Sequence, residues 1–178
     1  MDIIDKFKEM DTTCLSDAMD RLGIRCGCAG ILPVFPGARA VGTAFTVRYR
    51  PCGTVKGTVG DFLDDVAPGQ VVVIDNAGRT YGTVWGDIMT VYAKKRGVAG
   101  TVIDGVCRDL PRVLDVRYPI FSRGRFMVTG KDRVELDGVN IPVAISDIQV
   151  RPGDIIVCDD TGVVVVPLDR ASEVWEAA

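Results

Sequence analysis

The sequence contains no histidine, and its six cysteines are scattered along the 178-residue chain without a CxxC pair. A zinc site is therefore not expected, since such sites are built mainly from closely spaced cysteine and histidine ligands. Nucleophilic systems that depend on a Ser–His or Cys–His pair are excluded for the same reason. Acid–base chemistry near neutral pH must instead come from carboxylates, lysines, tyrosines or metal-bound water.

Long apolar runs and an excess of positive charge are also missing. The longest apolar runs, such as residues 71–74 and 163–166, have the length of strands and are far too short to span a bilayer. A net charge of −3 and a pI near 5.0 do not favour direct binding to nucleic acid or to an anionic membrane. The acidic, amphipathic N-terminus does not resemble a secretory signal, so we expect a cytoplasmic protein with reduced cysteines.

The composition is that of a folded protein, with 47% apolar and 25% charged residues. A chain of 178 residues suits a single domain over residues 1–178 that is large enough to bury a core. Helical and strand-like patterns alternate in the middle of the chain, and strand-like patterns dominate beside it. We therefore predict a mixed α/β domain with central βαβ units and β-rich flanks.

The central βαβ units are predicted from residue patterning. Residues 71–75 form a β-branched run that ends in an acid, which indicates a buried strand. A helix should begin at Asp87 and end at Gly97, and a second buried strand should cover residues 98–104. A third, short strand is predicted at residues 118–121.

The flanking segments carry weaker signals. The pattern predicts helices within 1–23, a strand over 40–49, a helix over 56–66, antiparallel strands over 124–150, and two strands on either side of 159–162. Asp137-Gly138 is the type of pair that favours a hairpin turn.

Three polar residues are expected to meet at one edge of this sheet. A helix of about ten residues descends roughly 15 Å, and the following strand returns about as far. Asp87 and the adjacent Arg108 and Asp109 should therefore lie together at the carboxyl ends of parallel strands, where open α/β sheets tend to bind ligands. The spacing alone leaves simpler interpretations open: Asp87 could be a helix N-cap, and Asp109 could cap the next helix from a surface loop.

Several segments together resemble the RraA-like family, which includes regulators of ribonuclease E activity and class II pyruvate aldolases. Those aldolases act on 4-hydroxy-4-methyl-2-oxoglutarate and 4-carboxy-4-hydroxy-2-oxoadipate. The segments that carry the resemblance are TTCLSDAMDRLG at 12–23, GDIM at 86–89, VIDGVCRD at 102–109, PIFSRG at 119–124 and PGDIIVCDDTGVVVVP at 152–167. The spacing of Asp87, Arg108 and Asp109 is similar to the metal and substrate signature of the aldolase branch.

The resemblance implies a swivelling β/β/α fold and homotrimers or hexamers with sites between subunits. It implies that Asp109 binds Mg²⁺ or Mn²⁺ directly, that Asp87 binds the ion through water, and that Arg108 holds a 2-keto acid substrate. The pyruvyl carboxylate would be bound by the backbone amides of Gly86, Asp87, Ile88 and Met89. These roles agree with the preference of Mg²⁺ for oxygen ligands and with anion binding at a helix N-terminus.

The activity implied is retro-aldol cleavage through a pyruvate enolate, with oxaloacetate decarboxylation as a second reaction. A Schiff-base lysine is the rival mechanism, but Lys94 and Lys95 are better explained as solvated residues at a helix C-terminus. The alternative function is that of a non-catalytic protein that binds and regulates ribonuclease E. Retention of the three polar residues favours the enzyme, because protein binding does not require them.

The C-terminus departs from the aldolase pattern. The larger aldolases continue into a segment that brings an acidic residue to the adjacent subunit, and Glu173 and Glu176 cannot be matched to that residue. The chain also ends inside a predicted helix, so we expect it to be truncated.

Overall fold

A large mixed sheet organises the protein, whose computed structural model describes residues 3–55 and 57–178. The strands within these residues are β1 (Leu32–Pro33), β2 (Ala40–Pro51), β3 (Val71–Arg79), β4 (Gly100–Cys107), β5 (Ile120–Arg125), β6 (Val134–Val139), β7 (Val143–Ile145), β8 (Ile148–Val150), β9 (Ile155–Asp159) and β10 (Gly162–Val166). The α-helices are α1 (Ile3–Lys8), α2 (Thr12–Arg21), α3 (Asp87–Lys95), α4 (Leu110–Val116) and α5 (Ala171–Ala177). None of the helices in this part of the chain is long and apolar enough to cross a membrane.

The main sheet has the strand order β1-β5-β4-β3-β2-β9-β10, and β6 also pairs with β2. Strands β2, β3, β4 and β5 run parallel to one another, whereas β9 and β6 pair with β2, and β1 with β5, in the antiparallel sense. The long strand β2 pairs through residues 40–43 with β9 and through residues 47–51 with β6. The predicted mixed α/β architecture with central βαβ units is therefore confirmed.

The apolar residues form two clusters, one beneath the βαβ units and one near the chain ends. The first cluster contains Ile103, Phe121 and Trp85, and every residue of β4 is buried, as expected for a parallel strand covered on both faces. In the second cluster α1, α2 and α5 cover β9 and β10, with Phe7 and Leu15 fully buried.

The predicted helix over residues 56–66 is wrong. Only a 3₁₀ turn at Leu63–Asp65 forms there, and Lys56 itself lies outside the described residues. The preceding segment runs along β6, because the amide of Leu136 donates a hydrogen bond of 2.9 Å to the carbonyl of Thr58. Apolar spacing suggested a helix, but glycines within the run lower helix propensity and the neighbouring strand supplies other partners.

The predicted hairpin at Asp137-Gly138 is also wrong, since both residues lie inside β6. The Asp137 carboxylate is bound by two arginines of β2, with Nε of Arg48 at 2.7 Å and Nη1 of Arg50 at 3.2 Å. These ion pairs favour a position within the sheet over a turn. Within residues 124–150 a hairpin instead joins β7 to β8, and Ser146 adopts a positive φ of 53° in its turn.

Candidate active site

The turn after β4 directs Asp109 towards a helix other than its own. Asp109 has left-handed backbone angles, with φ 60° and ψ 39°, and occupies the N-cap position of α4 without a side-chain bond to that helix. Its Oδ2 accepts instead a hydrogen bond of 3.0 Å from the backbone amide of Asp87, at the start of α3. The interpretation of Asp109 as a side-chain cap of α4 is therefore wrong.

Arg108 lies beside the same carboxylate oxygen. Its Nε is 3.2 Å from Oδ2 of Asp109, and the two side chains are 37% and 34% exposed. At such exposure an ion pair contributes little to stability, typically about 0–1 kcal/mol. Within the described chain the Nη atoms of Arg108 have no hydrogen-bond partner, so the guanidinium can still bind an anion from solution.

The N-terminus of α3 already interacts with two carboxylates. Besides the bond from Asp87 to Asp109, the amide of Ile88 donates to Oδ1 of Asp87 at 2.8 Å. The N-cap residue is Gly86, not Asp87, so the interpretation of Asp87 as an N-cap is wrong by one position. A Cβ on Gly86 would lie 2.7 Å from Oδ2 of Asp109 and 3.2 Å from Nε of Arg108. Glycine is required there for this close approach and not for its backbone angles, which are extended.

Two open cavities lie beside the contact between Asp87 and Asp109. The first has a volume of about 380 Å³ and is lined by Asp87, Ile88, Val91, Tyr92, Lys95 and Arg112. The second has a volume of about 330 Å³ and is lined by Arg108, Asp109, Leu110, Arg125, Phe126 and Met127. Both are lined by basic and apolar side chains, which suits a small organic anion.

The carboxylates of this site fit a hydrated divalent ion better than a metal enclosed by protein ligands. Across residues 3–55 and 57–178 no three His, Cys, Asp or Glu side chains come together as a potential metal cage. Oδ2 of Asp109 is engaged, whereas its Oδ1 has no partner in the described part of the chain. A single free carboxylate oxygen with a second carboxylate nearby is the type of site at which Mg²⁺ keeps several of its waters.

The structure brings together the side chains of Arg108 and Asp109 beside Gly86, and Asp87 joins them through its backbone amide. The Asp87 carboxylate instead accepts from the Ile88 amide and lines the first cavity, whereas Arg108 and Asp109 line the second. Ile88 points its side chain into solvent and is 80% exposed. Met89 packs partly against the core, so only its backbone can serve the site. Sequence reasoning missed Arg125, Trp85 and Thr90. Arg125 directly follows PIFSRG at 119–124, a segment that carries the family resemblance, and this position is the one signal that could have indicated it.

The lysines of α3 do not have the surroundings of a Schiff-base residue. Lys94 and Lys95 are exposed in the last turn of the helix, although Lys95 also lines the cavity beside Asp87. A lysine nucleophile is usually activated by removal from water or by a neighbouring cation. The exposed position of Lys95 favours its interpretation as a solvated partner of the helix C-terminus.

The family model for RraA-like proteins, described as Aldolase/RraA, matches residues 12–165. The chain belongs to the RraA-like family. This match covers all of the segments that form the candidate site, including the starts of α3 and α4.

Known RraA-like proteins include both aldolases and regulators by name. A protein of Halalkalibacterium halodurans named "Putative 4-hydroxy-4-methyl-2-oxoglutarate aldolase" is 33% identical over 178 residues, which are 100% of this chain and 82% of the relative. Protein DlpA of Legionella pneumophila is 39% identical over 90% of this chain, but the matched region is only 26% of that protein. The crystal structure of Streptomyces coelicolor RraAS2, described as an unusual member of the RNase ES inhibitor RraA protein family, superposes with a TM-score of 0.90 at 29% identity, covering 98% of this chain and 89% of the other. These matches confirm the predicted RraA-like fold.

Proposed function

We propose that this RraA-like protein is a divalent-metal-dependent pyruvate aldolase that also decarboxylates oxaloacetate. The observation that carries the proposal is the contact between Asp109 and the Asp87 amide, with Arg108 on the same carboxylate oxygen. This contact leaves one carboxylate oxygen and one guanidinium available at the mouth of a cavity. The same function is supported by the Halalkalibacterium halodurans relative, which is named a putative aldolase and is covered by this chain over 82% of its length.

The residues divide the chemistry of an enolate between them. Asp109 and, through water, Asp87 would hold Mg²⁺ or Mn²⁺, which when bound supplies Lewis-acid polarisation of the 2-keto oxygen of the substrate. Arg108 stabilises the negative charge as it develops on the enolate oxygen, a type of contact often worth about 3 kcal/mol. The N-terminus of α3 would favour the pyruvyl carboxylate through the amides of Gly86 and Met89, because the amides of Asp87 and Ile88 already donate to carboxylates of the protein.

Bond cleavage follows the same course for both substrates. In the aldol substrate the C4 hydroxyl loses its proton to a water held by Asp87 and becomes the carbonyl of the released 2-keto acid. The C3–C4 bond breaks at the same time, and its electron pair forms the pyruvate enolate. In oxaloacetate the C3–C4 bond breaks with release of CO₂ and leaves the same enolate. A proton returned to C3 then gives pyruvate, so no oxidant, reductant or co-substrate is needed.

The experiment that tests this proposal measures pyruvate release from 4-hydroxy-4-methyl-2-oxoglutarate and from oxaloacetate, after subtraction of the rate with Mg²⁺ alone. We expect activity that requires Mg²⁺ or Mn²⁺ and that falls about 10²–10³-fold in Arg108→Ala. Asp109→Ala should lose activity as well. Arg170→Ala is the matched control, because Arg170 is a partly exposed arginine paired with Glu173 outside the site. Turnover that survives EDTA, or both site substitutions, overturns the mechanism.

We also infer a homotrimer or hexamer with sites between subunits. Two apolar side chains beside the site are unusually exposed, with Ile88 at 80% and Met127 at 74%. A neighbouring subunit that covered them would enclose the cavities and exclude water from the enolate. Analytical ultracentrifugation tests this assembly, and a monomer with full turnover contradicts it.

A second candidate function is that of a protein-binding regulator of ribonuclease E. The likeness to Streptomyces coelicolor RraAS2 favours it, since that protein is described as a member of an RNase ES inhibitor family. A pull-down with ribonuclease E, combined with an RNA-cleavage assay, separates the two functions. Inhibition that is retained in the Arg108→Ala and Asp109→Ala variants, without keto acid turnover by the native protein, would establish the regulator instead.

A further inference from the structure

A buried pair of side chains, Trp85 and Thr90, lies directly behind the candidate site. Both are fully enclosed in the structure. Nε1 of Trp85 donates a hydrogen bond of 3.0 Å to Oγ1 of Thr90, and this hydroxyl donates at 2.8 Å to the carbonyl of Gly86. The Thr90 hydroxyl therefore uses its only proton on the backbone of the site and has its own oxygen held by the indole.

The bond to Gly86 fixes the peptide that joins it to Asp87. The carbonyl of this peptide accepts from the Thr90 hydroxyl and also from the Thr90 amide at 3.0 Å. The amide of the same peptide donates to Oδ2 of Asp109. Because a peptide unit is planar, restraining its carbonyl also sets the direction of its N–H group. Thr90 thus acts on Asp109 through one rigid unit without entering either cavity.

Trp85 reaches the other half of the site through its backbone. Its carbonyl accepts a hydrogen bond of 3.1 Å from the amide of Arg108. Its ring is stacked on Tyr118, with centroids 6.0 Å apart and planes 5° from parallel, which restrains the indole in the core. One residue therefore contacts both the Arg108 turn and, through Thr90, the Gly86 turn.

We propose that Thr90 and Trp85 are positioning residues that set the direction of Asp109 and Arg108, and hence the divalent-ion affinity of the site. The proposal rests on the function proposed above. An ordinary packing role would make the pair matter for stability alone. If the pair instead positions Asp109 and Arg108, its substitution should lower the divalent-ion affinity of protein that is still folded.

Direct titration of Mn²⁺ by electron paramagnetic resonance, followed by oxaloacetate kinetics, tests this role. Thr90→Val keeps the shape of the side chain but removes its hydroxyl, and we expect about a tenfold or greater loss of Mn²⁺ affinity with a matching rise in the Mg²⁺ needed for half-maximal turnover. Thr90→Ser restores the hydroxyl and should return both values close to those of the native protein. Trp85→Phe keeps an aromatic ring against Tyr118 but removes the indole donor, so its effect should be in the same direction and smaller.

A matched control is available on the far side of the aromatic stack. Thr101 is as deeply buried as Thr90, and its hydroxyl pairs with that of Tyr118 at 3.0 Å. Thr101→Val should lower the midpoint of thermal unfolding without changing Mn²⁺ affinity.

The outcomes separate the two proposals. Native protein that binds no Mn²⁺ and turns over no keto acid contradicts the proposed function. Native protein that does both, with unchanged Mn²⁺ affinity in folded Thr90→Val, overturns the positioning role. If Thr90→Val does not fold, unchanged affinity in Trp85→Phe decides against it in the same way.

Discussion

The carboxylate of Asp109 accepts a hydrogen bond of 3.0 Å from the backbone amide of Asp87, although Asp109 stands at the N-cap position of a different helix. Asp109 thus belongs to the N-terminus of α4 by its backbone position and contacts that of α3 by its side chain. The amide end of α3 and the Arg108 guanidinium create a positive region around this carboxylate. Such a region can hold a carboxylate of the protein and still attract an anionic substrate that arrives with a cation.

Substitution of Gly86 by alanine should disable the site while leaving the fold nearly intact. The added Cβ would lie 2.7 Å from Oδ2 of Asp109, so the carboxylate must move away from the Asp87 amide. The extended backbone at Gly86 tolerates alanine, and we expect a change in unfolding free energy within about 1 kcal/mol. Displacement of a catalytic group by about 1 Å can lower turnover on the order of 10²-fold.

Gly53→Ala provides the control for this substitution, because no atom lies within 4 Å of a Cβ built there. Keto acid turnover and urea unfolding should both match those of the native protein. Native turnover in Gly86→Ala would contradict the assigned role of Asp109.

The convergence of the site could be predicted from the sequence because it depends on patterning over whole elements. Three elements determine which helix and strand ends lie together: the β-branched run at 71–75, the amphipathic helix after Asp87 and the buried strand before Arg108. Strand ends were less predictable: β3 continues to Arg79 and β4 to Cys107, beyond the acidic residues taken as their limits.

Local details depended on partners that are distant in sequence. Asp137-Gly138 has the composition of a turn, but ion pairs with Arg48 and Arg50 of β2 stabilise Asp137 within strand β6. The direction of the Asp109 side chain could not be predicted, since it follows from a left-handed backbone and an amide 22 residues away. Hydrogen bonds between side chains, such as that of Trp85 with Thr90, leave no periodic signal at all.

Removal of the Arg123 guanidinium should strongly destabilise the protein. Arg123 Nε donates to Oδ1 of the buried Asp104, while the Ser146 amide donates to Oδ2 at 2.9 Å. Arg123→Met leaves this carboxylate buried with one donor. Because removal of one partner from a buried ion pair typically costs about 3–5 kcal/mol, we expect a loss of that size in the free energy of unfolding. Equilibrium unfolding in urea measures the loss.

The double variant Arg123→Met/Asp104→Asn is the control for this prediction, since it also removes the stranded charge. It should be more stable than Arg123→Met alone. A loss of less than about 1 kcal/mol in Arg123→Met would show that solvent screens the pair as at an open surface.

Asp159 should make stability depend on pH in the acid range. Burial opposes its ionisation, but hydrogen bonds from the amide and hydroxyl of Thr12 and from the amides of Thr161 and Gly162 outweigh this effect and hold the pKa of Asp159 below its usual value of 3.8. A lowered folded-state pKa contributes stability that is fully present above the unfolded pKa and is lost as pH falls through the folded pKa. The contribution should therefore be constant above about pH 5 and decline below pH 3.8.

Comparison of native protein with Asp159→Asn isolates this contribution. At neutral pH the variant should lose about 1.5 kcal/mol of unfolding free energy, the lower end for bonds to a charged group, because Asp159 is only partly buried. The difference should shrink as the solution is acidified. A difference that stays constant through the acid range would contradict the assignment.

Reduction with borohydride in the presence of pyruvate should not inactivate the protein. A Schiff-base mechanism needs a desolvated lysine, whereas Lys95 is exposed at the last turn of α3 although it lines the cavity beside Asp87. We expect unchanged mass and turnover after borohydride treatment, and near-native turnover in Lys95→Met at saturating Mg²⁺. Covalent trapping of pyruvate on Lys95, detected by mass spectrometry, would contradict this prediction. Catalysis would then be assigned to the Lys95 amine, and Asp109 and Arg108 would only bind the substrate.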